Sequence, residues 1–389
     1  MGISGIIAEY DPLHNGHAWQ LKEARRLTGA DLVICSISGS FTQRGMPALL
    51  SAHTRAAMAL HAGADLALQP PFSYSVCNGE RFALGGVTLL KRAGADALCF
   101  GVEPGGLPYI GEAADILEKN DGAFQRRLRA LLDSGLSFPK AQGEALADVL
   151  RLQDPGILAQ PNTALAICYA RANIRLQAGL TLYPIPRSGQ YHDEALPGPD
   201  MLPSATAVRK AALAGQWEQV QAAMPAAAFA LMREAFAAGK YHPPGALDAL
   251  LRWKLRQQRD FSMLPDLSEG IENRLHMSAS ALTREDMILS VKSKRYSHAR
   301  ISRLLTHALI GTDGRRLSAL PEYGYVLGFR GNASHVLKKA EKEGFPFLPS
   351  AIKDASGEEM TLDIRADDLW QLGAEQPFGG IFREKPVIV

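Results

Sequence analysis

The chain reads Ile3-Ser4-Gly5-Ile6-Ile7-Ala8 and then Glu9-Tyr10-Asp11-Pro12-Leu13-His14-Asn15-Gly16-His17 near its start. A short β-branched run meets a proline-containing break, and a helical pattern takes over from His17 to about Leu27, so the segment is strand, loop, helix. The order repeats. Asp31 to Ser38 (DLVICSIS) reads as a buried strand, His53 to Ala62 as a helix, and Ala64 to Gln69 as a strand stopped by Pro70-Pro71. Glu80 to Arg92 is helical with Gly94 as its stop, and Ala95 to Val102 (ADALCFGV) is a fourth strand. Alternation of this kind predicts an α/β fold, a Rossmann-like parallel sheet with helices on both faces.

Downstream, Ile110 to about Leu152 is helical and charged, Pro161-Asn162 opens a helix from Thr163 to Ala178, and Leu180 to Ile185 is a strand. Ser204 is placed to N-cap a helix from Ala205 to Ala214. The first domain is expected to end there, giving residues 1–215 as the sheet domain and 216–389 as a mainly α-helical region. In the latter, Ala222 to Ala238, Pro244 to Gln258 and Ser278 to Thr306 show amphipathic helical patterns. Leu317 to Phe329 and the stretch beyond Asp363 carry no clear pattern, and no internal repeat is visible.

With 389 residues the chain can bury a full core without staples, and a formal net charge of +2 means that a nucleic-acid partner would need a local basic face. Cys35, Cys77, Cys99 and Cys168 are too far apart for a metal cluster or redox pair and read as reduced thiols. No stretch approaches the roughly 18 apolar residues of a membrane span, and no secretory leader pattern is present. A cytoplasmic protein without membrane contact is expected.

His14 and His17 flank Gly16 at a strand-to-helix turn. In parallel sheets ligands bind beyond the carboxyl ends of the strands, where a helix N-terminus offers backbone N–H groups and a positive dipole to phosphate. Gly16 allows close approach of the backbone to a nucleotide. The two imidazoles can donate hydrogen bonds to phosphate oxygens as pyrophosphate leaves, so no protein nucleophile is required. Two plainer readings stand beside this one: that the histidines cap the helix or pack on the surface, and that they ligate zinc. The latter lacks a third ligand of clear spacing.

Beyond the first motif, Gly39 to Gly45 (GSFTQRG), the helix with Arg55, Phe100-Gly101-Val102-Glu103, Gln160-Pro161-Asn162, Pro186-Arg187-Ser188 and Pro203 to Arg209 (PSATAVR) together resemble the bacterial tRNA(Met) cytidine acetate ligase family. That family lies within the H-x-G-H nucleotidyltransferases. The similarity extends to Lys292-Ser293-Lys294-Arg295-Tyr296 with Arg300 and Arg303, and to Tyr325 to Phe329. It implies an enzyme that activates acetate with ATP to acetyl-adenylate and passes the acetyl group to N4 of the wobble cytidine of elongator tRNA(Met), with magnesium and without acetyl-CoA. His14 and His17 would be catalytic. ATP would be held by Ile7, Ala8, Glu9, Tyr10, Asp11, Pro12, Leu13, His14, Asn15, Gly16, His17, Ala18, Trp19 and Gln20, with Gly101, Asn162, Arg187 and Ser188.

Ser204, Thr206 and Arg209 match the S-x-T-x-x-R signature of these enzymes, two hydroxyls and a guanidinium at a helix start, suited to leaving pyrophosphate; an ordinary N-cap with a surface arginine is the plain alternative. Arg44 sits in a Gly-flanked loop, where it would clamp phosphate or simply be solvated. Lys292, Lys294, Arg295, Arg300 and Arg303, with Tyr296 and His298 interleaved, suit tRNA phosphates and an exposed base, or a solvated helix face. Asp11, Leu13 and Gln69 stand where the family more usually shows asparagine, phenylalanine and glutamate, which bears on the small-acid pocket more than on the ATP site. A small-molecule adenylyltransferase without RNA, and an ATP-binding regulator without chemistry, are the competing functions.

Overall fold

The structure, a computed structural model, describes every residue except 120, 155, 187–202, 268–269, 294–295 and 350–356. The first four strands form where the sequence is most apolar: β1 (Ile3–Ala8), β2 (Leu32–Ile37), β3 (Leu66–Gln69) and β4 (Ala97–Val102). β5 (Thr181–Pro186) follows after a helical stretch. These five pair in parallel in the order β5-β4-β1-β2-β3. The chain thus builds outward from β1 to β3 and then crosses to β4 on the other side of β1. The crevice between β1 and β4 is the topological switch point, where open α/β sheets bind ligands.

Alternate residues of β2 and β3 enter opposite cores. Val33, Cys35, Ile37 and Ala67 pack with helices Asn15–Thr28, Ala52–His61, Ala205–Leu213 and Ala226–Ala237. Leu32, Ile34, Leu66 and Leu68 pack with helices Gly79–Arg92 and Pro161–Arg175. Each such Leu, Ile or Val stabilises the fold by about 1.5–3 kcal/mol through burial. Gly86 sets how closely its helix approaches β1, for a Cβ there would lie 2.5 Å from Cδ1 of Ile7. A larger residue must displace either the Ile7 side chain or the helix.

The sheet does not stop at residue 215. β6 (Gly324–Phe329), from a stretch without a clear sequence pattern, pairs antiparallel with β3, and β7 (Phe347–Pro349) and β8 (Val387–Ile388) pair with β6. The two halves therefore share one eight-stranded, mostly parallel sheet. The remaining C-terminal elements are helical, with a third core formed by Asp248–Gln257, Ile271–Ser278, Arg284–Val291, His298–Ile310 and Glu358–Gly373. The helix read as Ala222 to Ala238 is two, Trp217–Ala223 and Ala226–Ala237, because Pro225 interrupts it. Pro243 and Pro244 likewise delay the next helix to Asp248. Among the described residues, no helix is long and apolar enough to cross a membrane.

Candidate active site

The turn after β1 is held by its own histidines. His14 N-caps helix Asn15–Thr28: its Nδ1 accepts from the Gly16 backbone N–H at 3.1 Å, while Nδ1 of His17 accepts from the His14 backbone N–H at 3.4 Å. The rings stack with centroids 3.8 Å apart, and Tyr10 meets His17 edge-on at 5.0 Å. Tyr10 is itself buried, its hydroxyl 3.5 Å from Sγ of Cys35. A neutral imidazole that accepts through Nδ1 carries its proton on Nε2. Capping therefore fixes both rings as Nε2 donors. The plain reading, that these residues cap a helix, is correct, and the capping leaves Nε2 of each ring as a donor.

Beyond the turn opens a cavity of about 810 Å³. Ile7, Ala8, Glu9, Tyr10, Asp11, His14, Gly16, His17, Trp19 and Gln20 line it, as do Gly101, Asn162, Arg44, Ser204, Thr206 and Arg209. Pro12, Leu13, Asn15 and Ala18, expected at the nucleotide as part of a continuous segment, do not line it. Leu13 is in the core, and Asn15 donates its side-chain amide to the Ala222 carbonyl at 2.9 Å, because a helix turns only one side to a ligand. Arg187 and Ser188 lie outside the described residues.

Ser204 caps helix Ala205–Leu213 by accepting from the Ala207 N–H at 3.1 Å. Arg209 then reaches back to the first motif. Its Nη1 donates to the Asp11 carbonyl and stands 3.3 Å from Asp11 Oδ2, while Nη2 donates to Thr206 Oγ1 at 3.1 Å. Asp11, otherwise buried, accepts from the Leu49 N–H at 2.7 Å. Two capped helices and a shared ion pair thus converge on one space, with positive dipole ends suited to phosphate.

Arg44 is exposed, on a loop whose backbone is held in place. The segment from Phe41 to Pro47 closes on itself, and Gly45, with φ +80°, presses against helix His298–Ile310: a Cβ there would lie 2.8 Å from Cα of Arg303. Arg284 clamps it, donating through Nη2 to the carbonyls of Gly45 at 2.8 Å and Ser302 at 2.6 Å. Burial lowers the Arg284 guanidinium to about 10, which still leaves it charged at neutral pH.

Two positioning residues had no role assigned from sequence. Arg55, fully buried, donates to the carbonyls of Leu50 at 3.1 Å, Glu9 at 2.6 Å and Gly39, tying together the loops after β1 and β2. Glu103 accepts from Asn162 Nδ2 at 2.6 Å and from the Asn162 and Thr163 backbone N–H groups at 3.1 and 2.7 Å. Burial works to raise the Glu103 carboxyl, but these hydrogen bonds and that from the Thr163 hydroxyl outweigh it and hold it below the usual range. Glu9, which accepts from the Gln43 N–H, is raised by burial.

Of the three departures from the family pattern, only Asp11 faces the main cavity. Leu13 is core, and Gln69 borders a separate space of about 10 Å³ beside Gly39 and Asp363.

Within the basic segment, Tyr296 departs from expectation. Tyr296 is only 6% exposed and belongs to the helical core, so it offers no open face to a base. Arg300 donates through Nη2 to the Asp266 carbonyl at 2.6 Å, Arg303 is half-buried behind the Gly45 loop, and His298 lies 3.0 Å from Glu285. Lys292 is exposed; Lys294 and Arg295 lie outside the described residues. None of the described members lines the cavity. Instead the helical half supplies His242, Pro243, Pro244, Leu247, Asp248, Leu251 and Thr283 to its far wall, from separate segments whose convergence no spacing announces.

A triphosphate laid across the switch point would meet donors on both sides of the bond to be broken, which is the arrangement of a Rossmann-like nucleotidyltransferase. The HIGH Nucleotidyl Transferase family profile matches residues 1–379. The chain is 32% identical over 381 residues to the tRNA(Met) cytidine acetate ligase of Clostridium novyi, covering 94% of each. It is 34% identical over 393 residues to that of Kosmotoga olearia, covering 96% of this chain and 91% of the relative. The crystal structure of apo Thermotoga maritima TmcAL superposes with a TM-score of 0.92 at 26% identity, with full coverage of both chains. The same protein bound with alpha-thio ATP superposes at 0.88 and 25% identity, again with full coverage. The chain belongs to the HIGH nucleotidyl transferases and, within them, to the tRNA(Met) cytidine acetate ligase family.

Proposed function

We propose that the chain is an ATP-dependent tRNA cytidine acetate ligase, which joins acetate to the AMP part of ATP with release of pyrophosphate and acetylates N4 of the wobble cytidine of elongator tRNA(Met). The observation that carries this reading is the stacked pair of Nε2-donor histidines at the switch-point cavity, facing the capped S-x-T-x-x-R helix.

In the first step an acetate oxygen attacks the α-phosphorus, the bond to the bridging oxygen breaks, and pyrophosphate leaves with the electron pair. His14 and His17 donate to the phosphoryl oxygens as charge grows there. Arg44, Arg209 and the N-terminus of helix Ala205–Leu213 receive the pyrophosphate, while Gly101 and Asn162, the latter fixed by Glu103, contact the nucleoside. Arg187 and Ser188 complete the ATP contacts in this reading. In the second step cytidine N4 attacks the acetyl carbon, AMP leaves, and N4 gives up one proton. ATP supplies the activation, so acetyl-CoA has no place in the scheme.

Among the described residues magnesium finds no dedicated protein cage. Both Asp11 oxygens are engaged, Glu9 accepts from Gln43, and no cluster of three metal-ligating side chains occurs among the described residues. The ion would arrive on the phosphate oxygens and neutralise them, as this ion commonly does.

The test is ATP–pyrophosphate exchange with acetate supplied or withheld. Exchange that requires acetate supports adenylate formation; exchange indifferent to acetate sinks it.

A further inference from the structure

The cavity has two unlike walls. On the sheet side stand His14, His17, Arg44 and Arg209 with the hydroxyls of Ser204 and Thr206, a surface for anions. The wall from the helical half presents Pro243, Pro244, Leu247 and Leu251 with the carboxylates of Asp248 and Glu285, the latter paired with His298, while Arg284 on the same wall is turned to the carbonyls of Gly45 and Ser302. The first wall, with most of the cationic and hydroxyl groups, suits a triphosphate better than the second. At about 810 Å³ the space is toward the upper end of the range for ligand sites, about 300–1,000 Å³, so the far wall is left for a second occupant.

Apolar side chains with a carboxylate acceptor beside them suit an uncharged planar ring that carries an amino group. Among the bases, cytosine and adenine carry such a donor; in cytosine it is N4, the atom to be acetylated, and Asp or Glu is the side chain that reads it. Asp248 is built for the task. It stands in the first turn of helix Asp248–Gln257, half-buried, beside Arg284 on the same wall of the cavity. Arg284 is in turn buried and bound to Gly45, in the loop that bears Arg44. The two walls are thereby held in fixed relation. Burial raises the Asp248 carboxyl, consistent with a group set partly out of water.

We propose that the wall formed by Pro243 to Leu251 is the acceptor-base subsite and that Asp248 selects cytosine by accepting a hydrogen bond from its N4 amino group. The proposal rests on the ligase reading above and adds the residue that chooses the base. Uracil presents an acceptor, O4, at the same place, and would set two acceptors against each other. Asparagine at this position offers either an acceptor or a donor and tolerates both bases.

The experiment compares equilibrium binding of two elongator tRNA(Met) transcripts, with cytidine or uridine at the wobble position, to wild type and to Asp248→Asn, with ATP present and acetate omitted so that no transfer occurs. One good base contact is worth about 5- to 150-fold between right and wrong bases, and wild type is expected to prefer cytidine within that range. Asp248→Asn is expected to bring the ratio to near parity. Because the ratio is taken on one preparation, inactive protein lowers both affinities and cancels. A ratio unchanged in Asp248→Asn, or no preference in wild type, overturns the proposal. Acetate-dependent exchange measured on wild type reports separately on the ligase reading, so a failure of one is not mistaken for a failure of the other.

Discussion

His14 serves two purposes that substitution can separate. Its Nδ1 caps the first helix, and the Nε2 proton that this capping fixes is the donor assigned to the transferring phosphate. His14→Ala removes both. Loss of an N-cap costs about 1 kcal/mol of stability, and loss of one preorganised donor to a transition-state oxyanion costs about 100- to 1,000-fold in rate. His14→Asn restores an acceptor for the Gly16 N–H but places nothing where Nε2 was. The two variants should therefore differ in stability and agree in rate: chemical denaturation should show Asn close to wild type and Ala lower by about 1 kcal/mol, while acetate-dependent exchange falls about 100-fold or more in both. Recovery of exchange in His14→Asn would refute the reasoning, since the histidine would then act only as a cap.

Other consequences follow from the buried groups. Arg55→Met leaves the Leu50, Glu9 and Gly39 carbonyls without their partner, and at about 1–3 kcal/mol for each unpaired buried group the urea midpoint should drop sharply; a shift equivalent to less than about 1 kcal/mol would contradict the role. Arg209→Met removes a charge-assisted contact worth about 1.5–3 kcal/mol, so kcat/KM for ATP in exchange should fall about 10- to 150-fold, and an unchanged value would place the pyrophosphate elsewhere. His242 and His307 are pushed down by burial to about 4 and about 3, whereas the unfolded chain takes up these protons near pH 6.5. Their stabilisation is complete above that pH and is lost as pH falls toward 4, at about 1.4 kcal/mol per pH unit for each. Denaturation at pH 7, 6 and 5 should show a shallower acid slope in His307→Gln than in wild type; equal slopes would mean that His307 titrates normally.

How much of this was legible in the sequence depended on whether the signal was local. The strands β1 to β4 declared themselves because each is a short apolar run closed by glycine, proline or a polar turn. β6 is equally apolar, yet nothing in Gly324–Phe329 says that its partner is β3, far earlier in the chain. The H-x-G-H turn and the S-x-T-x-x-R helix were readable as motifs because capping ties residue type to position. Which members face the ligand was not, and Pro12, Leu13, Asn15 and Ala18 fell on other sides of the turn and helix. In the basic run only Tyr296 departs from its reading, turning inward where an exposed ring was expected, because periodicity does not say which residue of a charged run packs on the core. The far wall left no trace at all, since Pro243, Asp248 and Thr283 meet only after the helices pack.

The most direct test of the central claim follows radiolabelled acetate into purified elongator tRNA(Met) with ATP and magnesium, for wild type and His14→Ala. Label is expected on the tRNA at the wobble cytidine with wild type, and little or none with the variant. Label that stays off the RNA while acetate-dependent exchange continues would contradict the central claim and direct the adenylate to another acceptor.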